Sequence, residues 1–443
     1  MTNKKKHEIY KIKILCFIKM TYTICQPVTF DATAVDGFGK QKVSNAFTIA
    51  DSSHTRGKNP DREQETLTGS ATSVYDSDTS SILLSVATSG DEVIRQNRQY
   101  CIYQPGKSLN ILCTGVLDGG TNASNCTSMI GYFDDENGVF AKYVGDGAGT
   151  GTLNFVLRSK TGALGGTKGT AFNLDIAQNA WNGDKMDGTG SSGISIDATK
   201  SLIFFFDIEW LGVGAVRCGF VVGGIIYIAH IFKNSNIRDT TYMTSANLPI
   251  RYQIVSGTGG GAGTLEQICS SVQSDGGFNP EGTRFSAVRT TGISVSSTLV
   301  PLISIRLKGD SFVNARTNII IKNISTMAAT NTDMGIRIYE TKAEYSQSLL
   351  TGANFVSASS VSKESAVEYD ISSTAVNMAN STLIQAQFVA DDVNQFSFIP
   401  GGLGVIASNI VAAVGDTDIY TVAAIATSGS STTFAAINWE EIF

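Results

Sequence analysis

Asp207 and Glu209 lie two apart in the run FFFDIEWLG, so on a strand their carboxylates project from one face. Paired acids on one strand do general acid and base work in some sandwich-fold glycoside hydrolases, which carry a third acid two positions earlier. Phe205 stands at that position here, and the pair reads instead as two acids on a solvated strand face. Asp134, Asp135 and Asn137 offer oxygens of the kind Ca²⁺ takes, but the full loop spacing with its closing glutamate is missing. The segment reads as a hairpin turn, with Gly138 supplying a positive φ.

Gly188, Gly190 and Gly193 match GxGxxG, a pattern that cradles a pyrophosphate only where it leaves a strand and opens a helix. The sequence that follows, ISIDATKSLIFFF, is strand-like, so a glycine-serine loop between strands is expected. Gly106-Lys107-Ser108 resembles the end of a P-loop, but Cys101 stands where the first glycine of that motif belongs. No Gly-x-Ser-x-Gly elbow precedes a helix. His7, His54 and His230 are scattered, and the seven cysteines (Cys16, Cys25, Cys101, Cys113, Cys126, Cys218, Cys269) form no CxxC pair. Neither a zinc site nor a disulfide framework is indicated, and buried free thiols are expected. No residue is therefore assigned a catalytic, cofactor-binding or metal-binding role, and no enzyme activity or cofactor is expected. Sequons occur at Asn122, Asn125, Asn323 and Asn380, which matter only on a secretory route. The glycine-rich loops 145–151 and 256–264 read either as tips that present a surface or as plain spacers.

The elements that must carry these residues are strands. Of 443 residues, 42% are apolar and only 16% charged, with 45 glycines but 7 prolines. This composition excludes charge-driven disorder and leaves room for more than one core. Apolar residues recur with period two, or in β-branched and aromatic runs, between turn residues every 8 to 12 positions. Strands are expected at 99–104, 108–116, 129–133, 138–144, 152–158, 170–176, 193–197, 202–211, 214–222, 224–232 and 248–255. One helical turn is expected at 263–272. After Gly276-Gly277-Phe278 the pattern restarts, with strands at 292–296, 299–307, 317–323, 334–340, 366–371, 382–389, 395–398, 404–407, 418–425 and 432–439. In 382–389 the alternation suits a sandwich strand with one wet face.

The fold class read from this pattern is all-β: two tandem jelly-roll-like β-sandwiches, 99–284 and 285–443, preceded by an extended arm with few strands at 21–98. Residues 1–20 form a basic tail that reads as neither a secretory signal nor an anchor, because Lys11, Lys13 and Lys19 interrupt its apolar runs. Translation beginning at Met20 and a true short tail are both open. The net charge is −6, and with the basic start set aside the body is more acidic still, so no broad footprint for nucleic acid is present. Asp207, Glu209 and Arg217 break the longest apolar stretch, and no membrane span is expected.

Several segments together carry a resemblance: YQPGKSLNILCTGVL at 103–117, IGYFDDENGVF at 130–140, the long run from Trp181 to Tyr227, LPIRYQI at 248–254, LEQICSSVQSDGGFNP at 265–280 and INWEEIF at 437–443. The combination resembles a family of virion structural proteins from large double-stranded DNA viruses and marine tailed phages. The resemblance implies a particle component built from β-sandwiches, and transfers no catalytic residue. The resemblance does not say where on the particle the protein sits; the localisation expected is the virion, at the capsid surface, after synthesis in a host cytoplasm. The expected partners are other copies of itself, as in a trimer, and other capsid proteins. Two alternatives belong to other classes: an attachment protein that binds a host surface glycan or receptor, and a sandwich-fold glycoside hydrolase working through Asp207 and Glu209.

Overall fold

A computed structural model describes residues 45–120, 122–279, 281–309, 316–330, 332–343, 345, 349–389, 395–398 and 417–442. The expected strand at 404–407 and the tail at 1–20 lie outside these residues. The protein is all-β and consists of two tandem jelly-roll-like sandwiches whose paired strands are antiparallel throughout.

The first sandwich contains β1 (Phe47–Ser53), β2 (Glu63–Thr68), β3 (Thr72–Asp76), β4 (Ser81–Val86), β5 (Glu92–Asn97), β6 (Leu109–Val116), β7 (Cys126–Phe133), β8 (Gly138–Val144), β9 (Thr152–Ser159), β10 (Phe172–Ala177), β11 (Leu202–Ile208), β12 (Val216–Val222), β13 (Ile225–Phe232), β14 (Ile250–Ser256) and β15 (Gly263–Ser274). One sheet has the order β13-β12-β11-β6-β15-β4-β3, with β1 also pairing β15; the facing sheet has the order β10-β9-β8-β7-β14-β5-β2. Alternate residues meet between the sheets, as a two-residue period requires. Phe204 and Phe206 of β11 join Phe155, Trp181 and Phe220 in one aromatic cluster, with ring centroids 4.6–6.0 Å apart. Offset and edge-on ring pairs at such separations contribute beyond the area they bury.

Four readings from sequence change here: the strands expected at 99–104 and 193–197 reduce to isolated bridges at Cys101 and Ser195, and two further segments change state. Residues 263–272, expected as a helical turn, are part of β15: Leu265, Gln267, Ser270 and Val272 are buried in near alternation, and β15 pairs with β1, β4 and β6. Pairing on both edges overrides a local pattern that suits either state. Residues 47–97, expected within the arm, supply β1 to β5 and complete both sheets. Their polar composition is accommodated because the polar groups meet one another inside. Arg95 is 1% exposed, and its guanidinium contacts Glu63, Glu65 (2.6 Å), Gln267 of the opposite sheet (2.8 Å) and the carbonyl of Lys58 (3.1 Å). Glu63 also accepts from Ser52 (2.6 Å) and Gln267 (2.9 Å) and lies 3.0 Å from His54 Nε2. Burial pushes the Glu63 carboxyl up, but the hydrogen bond to His54 and the charge of Arg95 outweigh it and hold the group below its ordinary range.

The second sandwich contains β16 (Thr283–Val295), β17 (Val300–Leu307), β18 (Asn318–Ala328), β19 (Met334–Thr341), β20 (Leu350–Thr351), β21 (Val356–Ser357), β22 (Val367–Asp370), β23 (Ala375–Val376), β24 (Ser381–Val389), β25 (Gln395–Phe398), β26 (Ile419–Ala426) and β27 (Ser431–Ile442). A sheet of order β16-β27-β18-β25 packs on one of order β21-β22-β17-β26-β19-β24, while β20 and β23 form a small ribbon. The INWEEIF segment shows the alternation at work. Trp439 is buried in the core, Glu440 reaches Lys322 (2.7 Å), and Glu441 turns inward to accept from Ser365 (2.5 Å), the Ala366 amide (2.8 Å) and Trp439 Nε1 (2.9 Å).

Removing one partner of a buried charge cluster leaves the others desolvated and unpaired. Arg95→Ala is expected to destabilise the first sandwich by about 3–5 kcal/mol, read as a lowered denaturant midpoint. Because the Glu63 group is depressed in the folded state, its stabilisation is present above the unfolded carboxyl range and is lost as pH falls through the folded value. The wild type should therefore lose part of its stability on acidification, and Glu63→Gln should flatten that dependence.

Candidate functional site

Asp207 and Glu209 do share one face, since Phe204, Phe206 and Ile208 of the same run point into the core. They are not solvated: Asp207 is 1% and Glu209 4% exposed. Ser108 donates to Asp207 Oδ1, and Arg217 of β12 places Nη1 3.6 Å from Asp207 and Nη2 3.8 Å from Glu209. The register sets this contact, because Asp207 lies directly opposite Arg217. The geometry is that of a buried charge cluster joining β6, β11 and β12, and the expectation of a wet strand face is corrected.

The DDENG segment is the turn between β7 and β8, and Gly138 has φ +139°. A side chain there would collide with Phe133, so the turn requires glycine. Asp134 Oδ1 accepts from the amides of Glu136 and Asn137 (both 2.8 Å), which makes the hairpin tight. Its Oδ2 accepts from Arg316 of the second sandwich, at 3.1 Å from Nε and 2.6 Å from Nη2. Glu136 joins the same guanidinium (2.9 Å) and also meets Lys160, while Asp135 meets Arg251 (2.5 Å). The two carboxylates that offered Ca²⁺ oxygens, Asp134 and Asp135, are thus engaged by arginine. Burial works against the Arg316 charge, but Asp134 outweighs it and pushes the guanidinium up.

A second ion cluster crosses the same junction. Asp418, at the start of β26, lies 3.1 Å from Arg98 of the first sandwich and 3.8 Å from Lys342, and accepts the Ala343 amide (2.9 Å). Asn318 of β18 donates to the Tyr100 carbonyl (2.9 Å). A cleft of about 420 Å³ is lined by Ile102, Tyr103, Gln104, Pro105 and Lys107 of the first sandwich, Asn279 and Glu281 of the linker and Ile442 of the second sandwich. Its polar groups hold the linker: Gln104 exchanges hydrogen bonds with the Asn279 backbone, and Lys107 donates to Gln104 (2.7 Å) and to the Gly277 carbonyl (2.9 Å). Arg316, Arg98 and Asp418 were not singled out from sequence, where their neighbourhoods (Arg95 near Arg98, Asp416 near Asp418) carry no sign of partners so far along the chain.

The remaining sequence candidates fall in separate places. Gly188 and Gly193 take positive φ in a loop that folds over Asp184, whose carboxylate accepts from the Ser192 amide (2.6 Å) and the Ser191 hydroxyl (3.0 Å). The donors that a phosphate would need are thus turned toward a side chain of the protein itself. Cys101, Cys113, Cys126 and Cys218 are buried free thiols, and burial pushes Cys101 up to about 12 and Cys126 up to about 11. Cys269 is exposed. Burial lowers His230 to about 4, so its ring is neutral at physiological pH. Asn122 is buried at the meeting of both glycine-rich loops, bonding the Thr264 backbone in both directions (2.8 and 3.2 Å).

No family model matches the sequence, and no curated protein matches it. Among solved structures, the chain is similar to a legume lectin-like domain from Entamoeba histolytica, at 7% identity over 52% of this chain and 98% of that one, with a TM-score of 0.32. It is similar to an endo-1,3-beta-glucanase from Streptomyces sioyaensis at 11% identity over 52% and 97%, TM-score 0.34. The Emp47p carbohydrate recognition domain gives 10% identity over 55% and 98%, TM-score 0.31. At these values no activity carries over to this chain.

Two substitutions separate a structural cluster from a catalytic one. Asp207→Asn should cost about 1–3 kcal/mol through the lost charge-assisted contacts, measured by denaturant unfolding; a change confined to turnover of a glucan, with stability intact, would contradict the structural role. Arg316→Ala removes the buried partner of Asp134 and should uncouple the sandwiches. Calorimetry is expected to show one unfolding transition for the wild type and two for the variant.

Proposed function

We propose that this chain is a structural component of a virus particle, in which two fixed β-sandwiches act by packing against copies of the same chain and against other shell proteins. The observation that carries this reading is the junction. Asp134 and Asp418, both fully buried, bind Arg316 and Arg98 across it, and such pairs hold only while both partners stay in place. A building block needs a fixed angle between its domains, whereas a cleft that closes on substrate needs a movable one. The acids that read as candidate chemistry are engaged in the same way: Asp207 and Glu209 with Arg217, and Asp135 with Arg251. The six quoted segments that resemble virion proteins fit this picture, since several lie at the junction: Asp134 to Gly138 in the clasping turn, Gln104 and Lys107 in the cleft, and the last strand beside it.

Immunogold labelling of purified intact particles with an antibody to residues 99–443, together with quantitative mass spectrometry of the same preparation, tests the reading. A fixed copy number per particle is expected. Regular labelling over the shell would assign a lattice position, and labelling at vertices or fibres an attachment position. Absence by both methods would overturn the proposal.

A further inference from the structure

His54 is 1% exposed and follows directly on β1, in contact with β2 and β15. Its Nδ1 lies 2.8 Å from the carbonyl of Ile268, and its Nε2 lies 3.0 Å from Glu63 Oε2. A carbonyl oxygen only accepts, so Nδ1 carries the proton of the first contact. The Glu63 carboxylate is an acceptor too. Ser52 and Gln267 donate to its Oε1 and Arg95 to its Oε2, which keeps it ionised and leaves it no proton to give the ring. A neutral imidazole has a single N–H, and one of the two contacts would then set lone pair against lone pair. Only the doubly protonated ring satisfies both.

The position of the ring gives its charge a mechanical consequence. Among the described strands β1 pairs with β15 alone, from Phe47 opposite Ser274 to Ser53 opposite Cys269, and six of its seven residues are half-buried or exposed. β4 pairs with residues 263–267 of the same strand, so Ile268 stands between the two, at the point where β15 bulges against β6. Besides its ladder, β1 is held by the partly buried Ile49 and Ala50, the Phe47–Phe278 stack (5.4 Å), Ser52 on Glu63 and an exposed Asp51–Arg62 pair (3.1 Å). His54 is the buried pin at its end. The titratable and charged groups around the ring and its partners are Glu63 and Glu65 of β2, Arg95 of β5, Lys58 of the connecting loop, Tyr252 of β14 and Cys269 of β15. Burial raises the Cys269 thiol and lifts the Tyr252 hydroxyl well above its ordinary range. Burial also raises Glu63 and Glu65, but hydrogen bonds, to His54 for the one and to Lys58 for the other, outweigh it and hold both carboxyls low. Imidazole is the one side-chain type in this set whose ordinary range falls between about pH 5 and 8.

We propose that His54 is a pH-dependent latch on β1: the strand stays on β15 while the ring donates from both nitrogens, and leaves it when the ring gives up one proton. The inference is independent of the assembly reading above. The latched form binds one more proton than the released form, so latching strengthens as pH falls through the neutral range and weakens as pH rises. This sign is opposite to that of Glu63, whose contribution is lost on acidification through the carboxylate range, so the cluster holds best between the two limits. Release frees the edge of β15 from Cys269 to Ser274, a row of backbone groups of the kind that accepts another strand.

The test uses the full chain. Hydrogen exchange is measured at about pH 6 and about pH 8.5, on either side of the imidazole range, with β11 as the reference within the same molecule. Relative to β11, protection of 47–53 and 269–274 should fall at the higher pH, by up to about tenfold per pH unit, the limit for one linked proton. His54→Gln, whose amide stays neutral, should show the same relative protection at both. Nitrogen-15 NMR of histidine-labelled wild type should show, at the lower pH, one ring with two slowly exchanging N–H protons. That signal is assigned by its loss in His54→Gln or, should the variant not fold, by its survival in His7→Gln and His230→Gln. Relative protection of β1 that is the same at both pH values in the wild type, a pH dependence that persists in His54→Gln, or a singly protonated His54 with β1 protected would each overturn the proposal.

Discussion

Every open sheet has to end, and at each end a row of backbone donors and acceptors lacks a strand. This constraint governs the protein more than any single contact, because both of its sandwiches are open and together they present many rims. The solutions are local and differ from rim to rim: the loop through Asn182 lies along β13, a lysine bridges β10, and β21 is too short to serve as a template. Folding free energy depends on meeting the constraint, since an unpaired buried amide or carbonyl costs more than a made hydrogen bond returns. β24, which pairs among the described strands with β19 alone, carries a bulge at Ile384.

Charge is handled by a complementary rule. A chain with 16% charged residues has few to place, and many of those in the described structure are turned inward as matched pairs. Arg95 ties the two sheets of the first sandwich together at an edge where apolar side chains give way to glutamate and glutamine. Arg316 ties one sandwich to the other through a hairpin whose own carboxylate also closes its turn. Asp134 therefore couples local geometry to domain arrangement, because one oxygen serves each. Such pairs add specificity of arrangement more than net stability, as burying two ions costs nearly what their attraction returns.

Much of the architecture was legible because the two-residue period is a local property. The hairpin of β7 and β8 was readable down to Gly138, since turn chemistry and alternation lie in one short window. Three things were not local. β15 mimicked a helical turn because Leu265 and Cys269 stand four apart, and only its neighbours on both edges settle its state. The strands before residue 98 looked solvated because the partners of Glu63 and Arg95 include Gln267, far along the chain. Asp207 and Glu209 were correctly placed on one face, but that this face is buried depends on tertiary structure that no period encodes. The clasp between sandwiches was invisible for the same reason: Arg316 and Asp134 are separated by 182 positions.

The pairing of β15 with β1 and β4, and of β27 with β16, also sets an order of events during synthesis. Ser274 pairs with Phe47, so the first sandwich cannot close until the chain has been made past residue 274. The second waits in the same way for Ile442, whose strand joins β16 to β18. Each unit is thus bracketed by its own first and last strands, and contacts of such long sequence separation fold slowly. While they wait, β4 and β5 leave the ribosome with β3 and β2 to pair with but with their other neighbours, β15 and β14, unmade, the interval in which strand edges are most prone to mispair. A nascent chain of this design places its demand on the cell's chaperones before either sandwich is complete.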